Sequence, residues 1–146
     1  MIASWMVKRK VLRNFDLVSQ DDFDVNAIMA DWTDDAVMDG SSELGVGETV
    51  TGKKAIADSF ERWKKEFPKR KQIAKNISFA AWPLSLTNVM MVEWSCWERD
   101  KQGKEFQYDG ATAMHIKNNK VVHASEYISF KGLPQLSALI KPLGKT

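Results

Sequence analysis

The fold is decided by residues 110–130, which read GATAMHIKNNKVVHASEYISF. This stretch predicts two long strands joined at Asn118 and Asn119, because asparagine tolerates the positive backbone angles that a two-residue hairpin requires. Alternation places Thr112 and Met114 on one face of the first strand. The corresponding face of the second strand carries Val122, Ala124, Glu126 and Ile128.

The acid on that face, Glu126, is the main candidate for a functional residue. Its neighbours on the face are mostly hydrocarbon, which predicts that the face looks inward. Desolvation raises the pKa of a carboxyl group, and a carboxylate of raised pKa suits proton abstraction beside a carbonyl. Three interpretations stay open: a general base, a structural acid bonded to backbone or to a basic neighbour, and a surface residue if the register differs.

The rest of the chain predicts helices first and strands afterwards. Hydrophobic spacing of three and four residues predicts helices over residues 4–18, 25–32 and 53–67, with Thr51 capping the third. Asp34 and Asp35 are expected to end the second helix, and residues 40–52 form a glycine-rich flap. Strands are predicted over residues 36–38, 73–82, 88–99, 105–117 and 120–130. Residues 131–146 are a tail expected to fold back as a short helix.

This order predicts a single α+β domain over residues 1–146, with three N-terminal helices packed on a strongly curved, mainly antiparallel sheet. A curved sheet over helices leaves a conical space, where ligands should bind. The expected lining of that cone, beside Glu126, is Asn14, Trp32, Met38, Phe60, Trp63, Trp94, Cys96, Thr112 and Met114.

Composition excludes several function classes. The net charge is +2, with 21 basic and 19 acidic residues, so neither nucleic acid nor a membrane is an expected partner. The short basic runs at residues 8–10 and 69–71 are read as solvated helix or linker surface. No apolar stretch approaches the roughly 18 residues of a membrane span, and no signal peptide is recognised.

The side chains that bind metals are few and badly spaced for a site. The single cysteine, Cys96, allows no internal disulfide or cysteine cluster and is read as core. His115 and His123 alternate out of phase with the inner face and are expected on the outer surface of the sheet. We therefore expect a soluble cytoplasmic protein with no metal and no cofactor.

Several stretches resemble the nuclear transport factor 2-like superfamily, which includes ketosteroid isomerase, scytalone dehydratase, limonene epoxide hydrolase and SnoaL-type polyketide cyclases. The resemblance covers roughly residues 10 to 130. It rests on FDVNAI at 23–28, WTDDA at 32–36, TGKKAI at 51–56, VEW at 92–94, KVV at 120–122 and EY at 126–127. It implies a cystatin-like cone and a homodimer packed through the outer sheet face.

The resemblance places three isomerase positions on different residues here. The tyrosine that donates to an oxyanion meets Asn14, the aspartate base meets Gly40, and the second acid meets Thr112. Asp39 lies one residue before the base position and formally on the opposite face, so it can serve as base only if a bulge turns it inward.

The other enzymes of the superfamily differ in how many of their positions are kept. The epoxide hydrolase positions fall on Met38, Gly40, Trp94 and Cys96, and only the acid on the last strand has a counterpart, Glu126. The resemblance implies that the cyclases use an acid on this part of the sheet. The sequence departs least from the cyclase pattern.

The resulting prediction is a small-molecule-binding domain. It is either a cofactor-independent isomerase, cyclase or lyase that abstracts a proton from a small apolar carbonyl compound, or a non-catalytic module for a hydrophobic ligand or a protein partner. Glu126 is the expected base and Asp39 the second candidate. Asn14, Thr112 and Trp32 are candidate oxyanion donors.

Overall fold

The computed structural model describes residues 2–40, 49–82 and 85–129. Helices occupy α1 (Ile2–Val18), α2 (Val25–Met29) and α3 (Lys53–Glu66). Strands occupy β1 (Trp32–Asp39), β2 (Thr49–Thr51), β3 (Lys69–Phe79), β4 (Thr87–Arg99), β5 (Glu105–Lys117) and β6 (Lys120–Ser129).

The strands form one sheet in the order β2-β1-β6-β5-β4-β3. Every neighbouring pair is antiparallel except β1 and β6, which run parallel. The helices pack against one face of this curved sheet, and the core lies between the two layers. The predicted α+β cone is confirmed.

The β5–β6 hairpin forms as the sequence predicts. Asn118 and Asn119 have φ of 50° and 62°, the left-handed angles of a two-residue hairpin turn. One detail differs, because His115 pairs with His123 while Ile116 pairs with Val121. Val122 is therefore an extra residue in a bulge, and Val121 takes the inward position that alternation assigns to Val122.

The first strand is longer than predicted, and the second helix is shorter. Trp32 was expected at the end of that helix, yet it begins β1, whose buried residues are Trp32, Ala36 and Met38. Asp34 and Asp35 lie exposed within the strand, so they do not end a helix. The parallel partner β6 supplies the backbone pairing that decides this segment, and local propensity cannot reveal such a distant partner.

The flap predicted over residues 40–52 contains a strand. Thr49–Thr51 pairs with the end of β1 as β2, so Thr51 does not cap the third helix. Gly52 takes the cap position with a φ of 95°, and its N–H donates to the Ala36 carbonyl at 2.8 Å. Residues 41–48 lie outside the described part of the chain.

The third strand begins earlier than predicted, and its basic residues are not all solvated. Arg70 is 3% exposed, and its guanidinium lies over the Phe23 ring at 4.5 Å and the Trp63 ring at 5.3 Å. It donates to the Phe67 carbonyl at 2.8 Å. The strand ends at Phe79 rather than at residue 82. The helix predicted in the tail at residues 131–146 lies outside the described residues.

Candidate functional site

A cavity of about 450 Å³ lies between α1 and the inner face of the sheet. Its volume is typical of small-molecule sites. Hydrocarbon dominates its wall, and its polar lining residues include Asn14 from α1, Thr112 from β5 and Glu126 from β6. Of the expected lining residues, those found on this wall are Asn14, Trp32, Met38, Phe60, Thr112, Met114 and Glu126.

Glu126 and Thr112 face each other across adjacent strands. They are direct register partners, and both side chains line the cavity. Directly opposed residues have Cβ atoms about 5 Å apart, so one small substrate can contact both side chains. The hairpin therefore delivers a carboxyl group and a hydroxyl group to the same patch of wall.

Gly40 determines how closely β1 approaches Glu126. It has a φ of 69°, and a Cβ built on it would lie 2.6 Å from the Glu126 carbonyl oxygen. That distance is well inside van der Waals contact, so only glycine fits here without a backbone shift. The position that the resemblance compares with a catalytic aspartate is thus a packing position in this chain.

Trp94 lies beneath the cavity and bonds to its wall. Its indole Nε1–H donates to Thr112 Oγ1 at 2.9 Å, and Trp94 is 1% exposed. A Cβ on Gly110 would lie 2.5 Å from the Trp94 ring, so that glycine makes room for the indole. Because an indole can only donate, the Thr112 oxygen accepts this bond and its own hydrogen must point to another acceptor. Trp94 was expected on the wall, but it supports the wall from behind.

Trp63 and Cys96 were also expected on the wall, and both lie elsewhere, at a buried acid. Glu98 is 3% exposed and accepts from Trp63 Nε1 at 2.9 Å and from the Tyr108 hydroxyl at 3.1 Å. The Cys96 sulfur lies 4.0 Å from the same carboxylate. Sequence reasoning missed Glu98, although it has the same strand parity as Trp94 and Cys96.

Asp39 is not among the residues that line the cavity. Thr49 Oγ1 donates to its Oδ1 at 2.7 Å, and its Oδ2 lies 2.5 Å from His123 Nε2. The hydrogen bond from Thr49, followed by that from His123, lowers the pKa of Asp39 below its ordinary value. The His123 ring stacks on that of His115 with centroids 5.4 Å apart. The side chain of Asp39 is therefore not turned towards the cavity.

The described residues hold neither a metal-binding cluster nor a membrane-spanning helix. Within residues 2–40, 49–82 and 85–129, no three histidine, cysteine or acidic side chains are grouped so that they could hold a metal ion. Within the same ranges, no helix has the length and apolar character needed to cross a bilayer.

The sequence matches no protein-family profile and no curated protein. Solved structures are similar to it at low sequence identity. A nuclear transport factor 2-like superfamily protein from Salmonella enterica serovar Typhimurium superposes with a TM-score of 0.71 at 13% identity, covering 92% of this chain and 96% of that one. A putative SnoaL-like polyketide cyclase from Jannaschia sp. CCS1 gives 0.68 at 14% identity, covering 92% and 91%.

A third similar structure is that of TerC co-crystallized with polyporic acid. It gives a TM-score of 0.60 at 12% identity, covering 81% of this chain and 86% of that one. Architecture and comparisons agree: the chain has the nuclear transport factor 2-like fold. It shares that fold with ketosteroid isomerase-like proteins and putative polyketide cyclases.

Proposed function

We propose that this protein binds a small apolar carbonyl compound in the cone and moves a proton on it with Glu126. The observation that carries the proposal is the placement of Glu126 directly opposite Thr112 on the wall of a mostly hydrocarbon cavity. TerC, with the same fold, was co-crystallized with polyporic acid, which supports a ligand of this kind.

The proposed reaction uses two groups of the chain. The Glu126 carboxylate takes a proton from the carbon beside the carbonyl, and the electron pair of that C–H bond moves onto the carbonyl oxygen as an enolate. The Thr112 hydroxyl, held by Trp94, donates to that oxygen, and the Asn14 amide is a second donor from α1. Return of the proton to another carbon completes an isomerisation. Attack of the enolate on a second carbonyl would give a cyclisation, and the proposed steps require no cofactor.

Exchange of a proton for deuterium tests the first step without knowledge of the natural substrate. The test substrate is 2-tetralone in D2O, and the loss of its α-proton signal would be followed by NMR. Glu126→Gln keeps the shape of the side chain but removes the base, so exchange should slow by about a hundredfold or more. Affinity for 2-tetralone should stay within about tenfold, or 1.4 kcal/mol. Asp39→Asn, on the other face of the sheet, is the matched control and should leave exchange unchanged.

A non-catalytic ligand-binding module is the second candidate, favoured by the dominance of hydrocarbon in the cavity wall. On this alternative the wild-type protein binds 2-tetralone without accelerating exchange. If Glu126 serves only as a structural acid, Glu126→Gln lowers Tm and leaves both exchange and binding unchanged. Exchange, binding and Tm together therefore separate the candidates.

We also propose a homodimer that packs through the outer face of the sheet. A cytoplasmic location is proposed as well, because the single cysteine of the chain can form no internal disulfide. Ile73, Met91 and Tyr127 are exposed on the strands that form this face. A second copy of the sheet would remove these apolar groups from water. Light scattering should give twice the chain mass, and Tyr127→Asp should shift it towards the monomer.

A further inference from the structure

The rim of the cavity includes residues from three parts of the chain: the first half of α1, the β3–β4 connection and the β5–β6 turn. Met6 and Lys10 of α1 line it, and Lys10 Nζ pairs with Asp31 Oδ1 at 2.5 Å. The Asp31 carbonyl accepts from the N–H of Val121 at 2.7 Å. Beside it, the Asn118 N–H donates to the Leu86 carbonyl at 2.8 Å and so joins the β5–β6 turn to the β3–β4 connection.

Large apolar side chains are exposed in two of the segments that contribute to this rim. Trp5 and Met6 are each 59% exposed, Trp82 is 63% exposed, and Leu86 is 74% exposed. These four are half of the eight large hydrophobic side chains that are exposed among the described residues. Single exposed apolar residues are ordinary, but four of them in two segments that also line an apolar cavity indicate an interaction surface.

The charges around these residues are basic. Lys8, Arg9 and Lys117 are exposed, and within the described part of the chain none of them forms an ion pair. The Arg9 guanidinium lies 5.2 Å from the centroid of the Trp5 ring. Asp31, the acid on the rim, is already paired with Lys10. Tryptophan beside lysine and arginine is the combination that suits a negatively charged bilayer surface.

We propose that this rim, defined by Trp5, Met6, Lys8, Arg9, Trp82 and Leu86, docks on the surface of an anionic lipid bilayer. The open end of the cone then faces the lipid, and an apolar ligand passes into the cavity without crossing water. Only this second part rests on the proposed function. The sequence-based expectation of no membrane partner came from the near-neutral net charge and the absence of a spanning segment, and a local surface contact needs neither a large net charge nor a span.

Co-sedimentation with vesicles tests the docking directly. The intact protein should bind phosphatidylcholine vesicles that contain phosphatidylserine, bind pure phosphatidylcholine far more weakly, and dissociate as salt is added. Removing the two charges in Lys8→Ser/Arg9→Ser should weaken binding by roughly 25-fold, since each basic residue near such a surface contributes about fivefold. Trp5→Ser/Trp82→Ser should weaken it by at least about tenfold, because less apolar area enters the interface.

The control is Arg62→Ser/Lys65→Ser, which removes two exposed charges from α3, away from both the rim and the outer face of the sheet. It should bind vesicles as the wild type does. Equal loss in the control and the rim variants, or no preference for phosphatidylserine, overturns the proposal. So does light scattering that shows Trp5→Ser/Trp82→Ser to break a dimer, because a second copy would then cover the rim. Exchange of 2-tetralone in solution is measured separately, so failure of docking and failure of catalysis are distinguishable.

Discussion

At the scale of single residues, one hydrogen bond limits where the Thr112 hydroxyl can point. Trp94→Phe removes the indole N–H and keeps an aromatic ring beside Gly110. The freed hydroxyl can then rotate away from the substrate, and we expect exchange of 2-tetralone to slow by about tenfold. Unfolding in denaturant should show a loss of about 1–3 kcal/mol from the lost bond and the smaller ring.

A double-mutant cycle shows whether Trp94 acts through Thr112. In the background of Thr112→Val, which has no hydroxyl to orient, Trp94→Phe should cause little further loss of exchange rate. Trp97→Phe, on the same strand but outside the cavity wall, should exchange at the wild-type rate. If the double variant instead loses exchange rate by the product of the two single losses, the indole acts independently of the hydroxyl.

The acid on the opposite face gives a prediction about pH. The bonds from Thr49 and His123 lower the pKa of Asp39, so the ionised form stabilises the fold. This contribution is complete above the unfolded value of about 3.9 and disappears as pH falls through the lowered folded value. Wild type should therefore unfold at a higher Tm than Asp39→Asn near pH 6. This difference in Tm should disappear as the pH is lowered below about 4. A difference in Tm that does not change with pH would show that ionisation of Asp39 is not its cause.

Single side chains were predictable where alternation was read within one strand. Alternation placed Glu126 and Thr112 on the inner face of their own strands. A two-residue turn alone would pair Thr112 with Ser125, and the missed bulge at Val122 brings Thr112 opposite Glu126 instead.

Alternation also placed Asp39 on the outer face. Its bond to His123 was not predicted, because the pairing of β1 with β6 was not. Glu98 was missed for another reason: its inward parity was visible, but the polar partners that make its burial tolerable come from α3 and β5.

At the scale of elements, the close passage of β1 against β6 rests on one glycine. In Gly40→Ala the new Cβ would lie 2.6 Å from the Glu126 carbonyl oxygen at a φ of 69°. We expect a loss of about 2–4 kcal/mol in unfolding free energy, from the left-handed angle together with the shift of β6. Exchange of 2-tetralone should fall as well, because that shift moves Glu126.

Gly103→Ala is the matched control, since Gly103 has a φ of 85° and a Cβ there would meet nothing within 4 Å. It carries the conformational cost alone, about 1 kcal/mol. It should leave exchange unchanged, as Gly103 lies in the distant β4–β5 turn. Equal losses in the two variants would show that the contact with Glu126 has no separate cost.

Elements whose partner is adjacent in sequence were predicted well, and those with distant partners were not. The bounds of β5 were correct, and β6 was described to within a residue, because a turn of known type joins them. β1 was misread because its partner β6 follows almost ninety residues later, as in the pair Trp32 and Val121. The bulge at Val122 was also missed, since it depends on how two strands match in length rather than on the residue itself.

At the scale of the whole molecule, two buried residues that do not line the cavity, Glu98 and Arg70, tie α3 to the sheet. Glu98 on β4 joins Trp63 of α3 to Tyr108 of β5. Arg70 on β3 stacks on Phe23 and Trp63 and bonds to the Phe67 carbonyl at the end of α3. These contacts hold α3 against the sheet through residues that do not line the cavity.

Removal of Glu98 tests this division between a structural region and a binding region. Glu98→Ala leaves the Trp63 N–H and the Tyr108 hydroxyl without this acceptor and creates a void, so we expect a loss of about 3–5 kcal/mol in unfolding free energy. Glu93→Ala, which removes an exposed acid from the same strand, should cost under about 0.5 kcal/mol. Under conditions where Glu98→Ala remains folded, its affinity for 2-tetralone should stay near that of the wild type, because Glu98 does not line the cavity. If Glu98→Ala is as stable as the wild type, the free-energy cost of burying the carboxylate equals the gain from its hydrogen bonds. In that case α3 is held on the sheet by apolar packing.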